Sequence, residues 1–149
     1  MPSLKLHSSS VLTIFSALTE IELSIPLISE GISAGFPSPA LDFIDLTIDM
    51  NKHLIKHPSS TFYGRVKGDS MKDAGIFDGD LLVIDKSLDP KDNKIAVCFI
   101  DGEFTIKRIK MEHNCCWLIP ANEKYESIQA TKDNDFQIWG IVTHVIKAL

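Results

Sequence analysis

Ile95-Ala96-Val97-Cys98-Phe99-Ile100-Asp101-Gly102-Glu103-Phe104-Thr105-Ile106-Lys107-Arg108-Ile109 reads as two strands joined by a two-residue turn. Asp-Gly supplies the positive φ angles of a type I′ turn, and the flanking residues are β-branched and aromatic. Side chains alternate along a strand, so Lys107 shares a face with Thr105 and Ile109. Two readings of Lys107 are open on this evidence. It is either an edge-strand charge that discourages aggregation or an amine buried in an apolar interior.

Further strands lie on both sides of this hairpin. Residues 61–67 are rich in aromatic and β-branched types, Asp78-Gly79-Asp80 is a turn, and Leu81-Leu82-Val83-Ile84-Asp85 is a buried strand. Residues 117–119 and 136–146 supply more. Upstream, Leu41, Ile44 and Ile48 recur at helical spacing and predict a short helix over residues 40–50. His53-Leu54-Ile55-Lys56-His57-Pro58 reads as its ending or a second short turn stopped by Pro58. The expected architecture is a mostly β domain over about residues 40–149.

The first 34 residues differ from the rest. They are rich in Ser and Thr, lack Trp and Tyr, and carry Lys5 as their one basic side chain. A short strand around Pro26, with Leu23, Ile25, Leu27 and Ile28, is the most structure expected of a mobile N-terminal arm. Ser33-Ala34-Gly35-Phe36-Pro37-Ser38-Pro39 reads as an extended linker. Val11-Leu12-Thr13-Ile14-Phe15-Ser16-Ala17-Leu18 faintly imitates a signal peptide. It is broken by Thr and Ser, runs into Glu20 and Glu22, and has no cleavable small-x-small site close behind. No uncharged apolar run approaches the roughly 18 residues needed to span a membrane.

At 149 residues one domain is the expectation. With 15 Lys+Arg against 20 Asp+Glu the net charge is −5, which argues against DNA binding through a charged face. The three cysteines, Cys98, Cys115 and Cys116, are an odd count containing an adjacent pair and make a poor disulfide framework. They read as reduced thiols in a cytoplasmic protein, with Cys98 a small buried hydrophobe.

Gly68-Asp69-Ser70-Met71 is the stretch best suited to chemistry. Ser70 follows a predicted strand and precedes a turn-rich segment, where a serine is exposed and its backbone N–H faces a cleft. The same residues also suit simple turn initiation. A Ser-His-Asp triad would need His113 or His144. The G-x-S-x-G elbow fails at Lys72, and the Asp-x-x-His element of GDSL esterases has no counterpart near the C-terminus. The other activating partner is Lys107, whose burial would lower its pKa and let a neutral amine take the Ser70 proton. Metal binding by His53 and His57 with Cys115-Cys116 is disfavoured. The His pair lacks the intervening Glu, no Cys-x-x-Cys occurs, and there is no glycine-rich phosphate loop; no metal or cofactor is expected.

In order and spacing, these pieces resemble the LexA/UmuD family of self-cleaving serine peptidases over about residues 32–149. Ala34-Gly35 resembles the scissile bond, and Gly68-Asp69-Ser70-Met71, followed by Gly75-Ile76-Phe77-Asp78-Gly79-Asp80-Leu81-Leu82-Val83, resembles the nucleophile region. Asp101-Gly102-Glu103-Phe104-Thr105-Ile106-Lys107-Arg108 resembles the hairpin bearing a lysine base. Ile119-Pro120-Ala121-Asn122 and Gly140-Ile141-Val142 resemble the later strands. The 34 residues before Gly35 are too few and too acidic for a LexA-type helix-turn-helix domain, and the membrane anchor of the related type I signal peptidases is not expected.

The resemblance implies a LexA/signal-peptidase-like β-rich catalytic domain over residues 35–149, with residues 35–60 a linker and short helical segment. Residues 1–34 would be an arm removed by self-cleavage. It implies Ser70 as nucleophile, Lys107 as base, and the backbone N–H groups of Asp69 and Ser70 as oxyanion donors. It further implies a cytoplasmic homodimer of the DNA-damage (SOS) response, stimulated by the RecA–single-stranded-DNA filament and partnered by a UmuC-type Y-family translesion polymerase. The alternative is a non-catalytic β-rich module that regulates a polymerase or repair complex, its arm pairing with a partner's sheet edge.

Overall fold

The computed structural model describes residues 4–8, 11–17, 19–28 and 44–149. Eleven strands occur among them: β1 (Lys5–Ser8), β2 (Leu12–Ser16), β3 (Ser24–Ile28), β4 (Ile44–Asp49), β5 (Thr61–Val66), β6 (Leu81–Asp85), β7 (Ile95–Ile100), β8 (Glu103–Met111), β9 (Cys116–Ile119), β10 (Ile128–Ala130) and β11 (Phe136–Ile146). One helix, α1, spans Met50–Leu54. The described residues fall into two units, one drawn from Met1–Ala17 and His57–Leu149, the other from Leu18–Lys56.

The larger unit is a nine-stranded sheet in the order β1-β2-β5-β6-β11-β7-β8-β9-β10. Every neighbouring pair is antiparallel. The hairpin that anchors the sequence reading is present as β7 and β8, with Ala96 opposite Lys107 and Cys98 opposite Thr105. Asp101 (φ 48°) and Gly102 (φ 90°) make its turn, the two successive left-handed residues that Asp-Gly favours.

Alternation along the strands feeds two apolar clusters. Val97 and Ile106 join Leu12, Ile14, Val66, Met71, Ile76, Leu82 and Ile84 in one. Ala96, Cys98 and Ile109 join Cys116, Leu118 and Ile141 in the other. Residues of β2 thus share a cluster with β7 and β8, although several strands separate them in the sheet order; the sheet curls about this core. Strand β11 carries two register shifts, at Ile138/Gly140 and Val142/His144, which let one long strand serve both β6 and β7.

Two regions differ from the sequence expectation. Residues 44–49, expected in a helix, form β4 and pair with β3, with Ile25 opposite Ile48 and Pro26 opposite Thr47. Isoleucines at 44 and 48 fit either period, and a pairing partner twenty residues upstream decides for the strand. Helix starts only at Met50, where the Asp49 carboxylate accepts the Asn51 N–H and caps α1. Pro58 begins a 3₁₀ turn, Pro58–Ser60, rather than closing a helix.

The second difference concerns the arm. The strand around Pro26 is present as β3, but β1 and β2 also belong to the main sheet, where Leu12 pairs with Val66 and Ile14 with Gly64. Leu12 and Ile14 are fully buried. Gly64 makes room for them: a Cβ there would lie 2.8 Å from Leu12 Cδ1 and 2.9 Å from Ile84 Cδ1. Among the described residues no helix is long and apolar enough to cross a membrane.

Candidate functional site

Strand β5 ends at Val66, and the chain leaves the sheet through Gly68, whose positive φ (91°) requires a residue without a Cβ penalty. The Gly68 N–H donates to Asp78 Oδ1 at 2.8 Å, tying this exit to the turn before β6. Ser70 follows, half-buried, and Met71 then plugs into the core. From the sheet, β8 sends Lys107 toward the same point. The side chains of Ser70 and Lys107, 37 residues apart in the chain, meet at 3.1 Å.

Lys107 is 6% exposed. Its Nζ donates to Ser70 Oγ, to Thr105 Oγ1 at 2.8 Å and to the Ile106 carbonyl at 3.0 Å. Three acceptors match the three N–H bonds of an ammonium. Loss of one proton leaves two donors for Thr105 and Ile106, and a lone pair facing the Ser70 hydroxyl. Among the described residues Lys107 makes no ion pair; the pairs found there are His57–Asp85 and Lys147–Asp80. Cys98, on the same face, is buried and its thiol is pushed up to about 12, chiefly by burial. Burial lowers the Lys107 pKa from its ordinary value, outweighing the opposing interaction with Cys98, and of the two readings of this residue its 6% exposure fits the interior amine.

A stability prediction follows with a definite sign. The folded pKa of Lys107 lies below its unfolded value, so the folded state binds fewer protons between the two and becomes more stable as pH rises through that window. Below it, the charged buried amine costs stability in full. In a Ser70→Ala background, Lys107→Met should therefore raise stability by about 1–2 kcal/mol near neutral pH, or roughly 3–6 °C in Tm. The gain should shrink as pH approaches about 10.4, the ordinary lysine value. A thermal melt series in pH checks this; an advantage that grows with pH refutes it.

The other residues considered for chemistry lie elsewhere. His144 is half-buried on β11, with Nδ1 3.0 Å from Thr143 Oγ1. His113 is exposed in the turn before β9. His57 Nδ1 sits 2.5 Å from Asp85 Oδ2. Burial would raise the Asp85 carboxyl, but hydrogen bonds from Ser87 and His57 hold it below its usual value. Among the described residues no three His, Cys, Asp or Glu gather into a possible metal site. Cys115 and Cys116 split between surroundings, Cys116 in the second core cluster and Cys115 half-buried beside Gln129. Ala34 and Gly35 lie outside the described residues.

The sequence reading missed the partners of Asp69. Its carbonyl accepts from Asn122 Nδ2 at 2.9 Å, and its carboxylate accepts from the Tyr125 hydroxyl at 2.6 Å. Asn122 is noticeable in the sequence only as the end of Ile119-Pro120-Ala121-Asn122, and nothing local says which loop it reaches.

A family model described as Peptidase S24-like matches residues 26–143. Protein MucA of Salmonella typhimurium is 42% identical over 122 residues, covering 81% of this chain and 83% of that protein. Protein SamA of Salmonella typhimurium strain LT2 is 39% identical over 126 residues, 85% of this chain and 87% of that protein. The LexA repressor of Alcanivorax borkumensis is 38% identical over 112 residues, 75% of this chain but 54% of that longer protein. The family model spanning residues 26–143, with relatives near 40% identical along most of their length, places the chain in the Peptidase S24-like family, on its UmuD-type branch.

Proposed function

We propose that this protein is a serine endopeptidase that cuts its own Ala34–Gly35 bond with a Ser70–Lys107 dyad. The observation that carries the reading is the 3.1 Å contact between Ser70 Oγ and a buried amine with no ion-pair partner among the described residues. Neutral Lys107 takes the Ser70 proton as Oγ attacks the Ala34 carbonyl carbon. The carbonyl oxygen gains negative charge, which the Asp69 and Ser70 N–H groups would stabilise. Collapse breaks the C–N bond, and Lys107 returns its proton to the Gly35 amine. The ester between Ala34 and Ser70 is then hydrolysed by water, with Lys107 again as base. Ala34 suits a small pocket, and Gly35 allows close backbone approach.

The biological setting is part of the same proposal. Self-cleavage would answer DNA damage, stimulated in the cytoplasm by the RecA–single-stranded-DNA filament. The processed homodimer would serve a UmuC-type Y-family polymerase in SOS mutagenesis. Family membership and the resemblance to MucA and SamA support this setting. The net charge of −5 fits a protein that reaches DNA through protein partners.

The test is mass spectrometry of the pure protein after incubation at rising pH, and with activated filament. Fragments of residues 1–34 and 35–149 are expected. A chain that stays intact in both, yet binds the polymerase, would favour the non-catalytic module.

A further inference from the structure

We infer that the turn after β9 positions the nucleophile loop, with Asn122 as the positioning residue that sets the direction of the Ser70 N–H. This rests on the self-cleavage reading and names how its oxyanion site is held. Two consecutive carbonyls of the nucleophile loop are drawn to this turn. The Asp69 carbonyl accepts from Asn122 Nδ2 at 2.9 Å, and the Ser70 carbonyl accepts from the Ala121 N–H at 2.9 Å. The Asp73 N–H returns to the Ala121 carbonyl at 2.8 Å, so the two segments are tied in both directions.

A trans peptide is planar, with its N–H directed away from its C=O. Holding the Asp69 carbonyl toward Asn122 therefore turns the Ser70 N–H to the opposite side. The Lys72 N–H, at 3.2 Å, is the longer second bond to that carbonyl and closes the loop's own turn. Asn122 is suited to the task because it is itself fixed. It is 3% exposed, and its Oδ1 accepts the Lys124 N–H at 3.0 Å, which assigns the amide and leaves Nδ2 facing Asp69. Tyr125 adds an outer tie through its hydroxyl to Asp69 Oδ1. An oxyanion donor is effective only when its direction is set before charge develops.

The experiment measures self-cleavage rate against pH for the full chain, Ser70→Ala, Asn122→Ala and Tyr125→Phe, with a thermal melt of each. Labelling of Ser70 by a fluorophosphonate gives a second readout that needs both nucleophile and oxyanion donors. Asn122→Ala should lower the plateau rate roughly 10–100-fold and labelling in parallel. The pH midpoint, set by Lys107, should stay in place. Tyr125→Phe, at a residue 45% exposed, should cost about 2–5-fold with the same midpoint, the modest effect of losing one outer hydrogen bond. A folded Asn122→Ala that cleaves at the parent rate overturns the inference, as does a loss explained by a moved midpoint. Should Asn122→Ala fail to fold, Tyr125→Phe decides by the same criteria. If the parent chain itself is not cut, or Ser70→Ala is, the peptidase reading fails and this inference with it. A parent that cuts beside an unaffected Asn122→Ala isolates the failure to Asn122.

Discussion

Ser70→Ala should leave the full chain intact under conditions where the parent yields two fragments. Removal of the nucleophile from a hydrolytic dyad costs on the order of 10⁴–10⁶-fold. Lys107→Met should be nearly as severe, because among the described residues its amine is the base found hydrogen-bonded to the Ser70 hydroxyl. Nζ is the group found at 3.1 Å from Oγ, and His113 and His144 have other surroundings. The pH profile separates the two roles. Parent cleavage should rise with pH as Lys107 loses its proton and level off below the ordinary lysine pKa, since burial lowers the value in the folded protein. Fragment yield by denaturing electrophoresis over a pH series is sufficient. A Lys107→Met protein that still cuts with the parent's profile would place the base elsewhere.

Leu12→Ala should destabilise the intact protein by about 2–5 kcal/mol, the cost of emptying a fully buried leucine site. Leu12 has no exposed surface, and it packs where Gly64 leaves space between β2 and β6. Gly64→Val attacks the same seam from the other side, because its Cβ would meet Leu12 and Ile84 below 3.0 Å. It should cost about 1–3 kcal/mol. Urea denaturation of each variant in a Ser70→Ala background gives both values. If Leu12→Ala changes stability by less than about 0.5 kcal/mol, as surface substitutions do, then β2 contributes little to the core.

Much of this was legible because some signals are local. Asp101-Gly102 between two β-branched runs specifies a hairpin without outside help, and alternation alone puts Lys107 beside Thr105. Pairing by distant strands is not local. Residues 44–49 carry a pattern compatible with helix, and β3 decides otherwise. Ile128–Ala130 is a strand through its pairing with Cys116–Leu118, and three residues are too few to show a period. Residues 11–18 draw attention in the sequence only as a run that resembles a signal peptide and is broken by Thr13 and Ser16. In the sheet Thr13 keeps its hydroxyl paired with Ser8, while Leu12 and Ile14 turn inward. Of the candidate site, Ser70 was readable as a serine beyond a strand exit and Lys107 as a lysine within the second strand of the hairpin. Asn122 was not, since its partner lies 53 residues earlier and only the folded chain brings the two loops together.

The docking of β2 on β5 changes what a cut after residue 34 would accomplish. Breaking a covalent bond does not by itself undo five residues of strand pairing or withdraw Leu12 and Ile14 from the interior. The nicked molecule would be a two-piece complex, and native gel filtration should carry both pieces in one peak that denaturant resolves. Severing the bond and shedding the peptide would then be separate events with separate rates. The first would be governed by chemistry at Ser70. The second would be governed by how often the β2–β5 seam opens, so that dilution or a competing strand hastens release without touching the catalytic step.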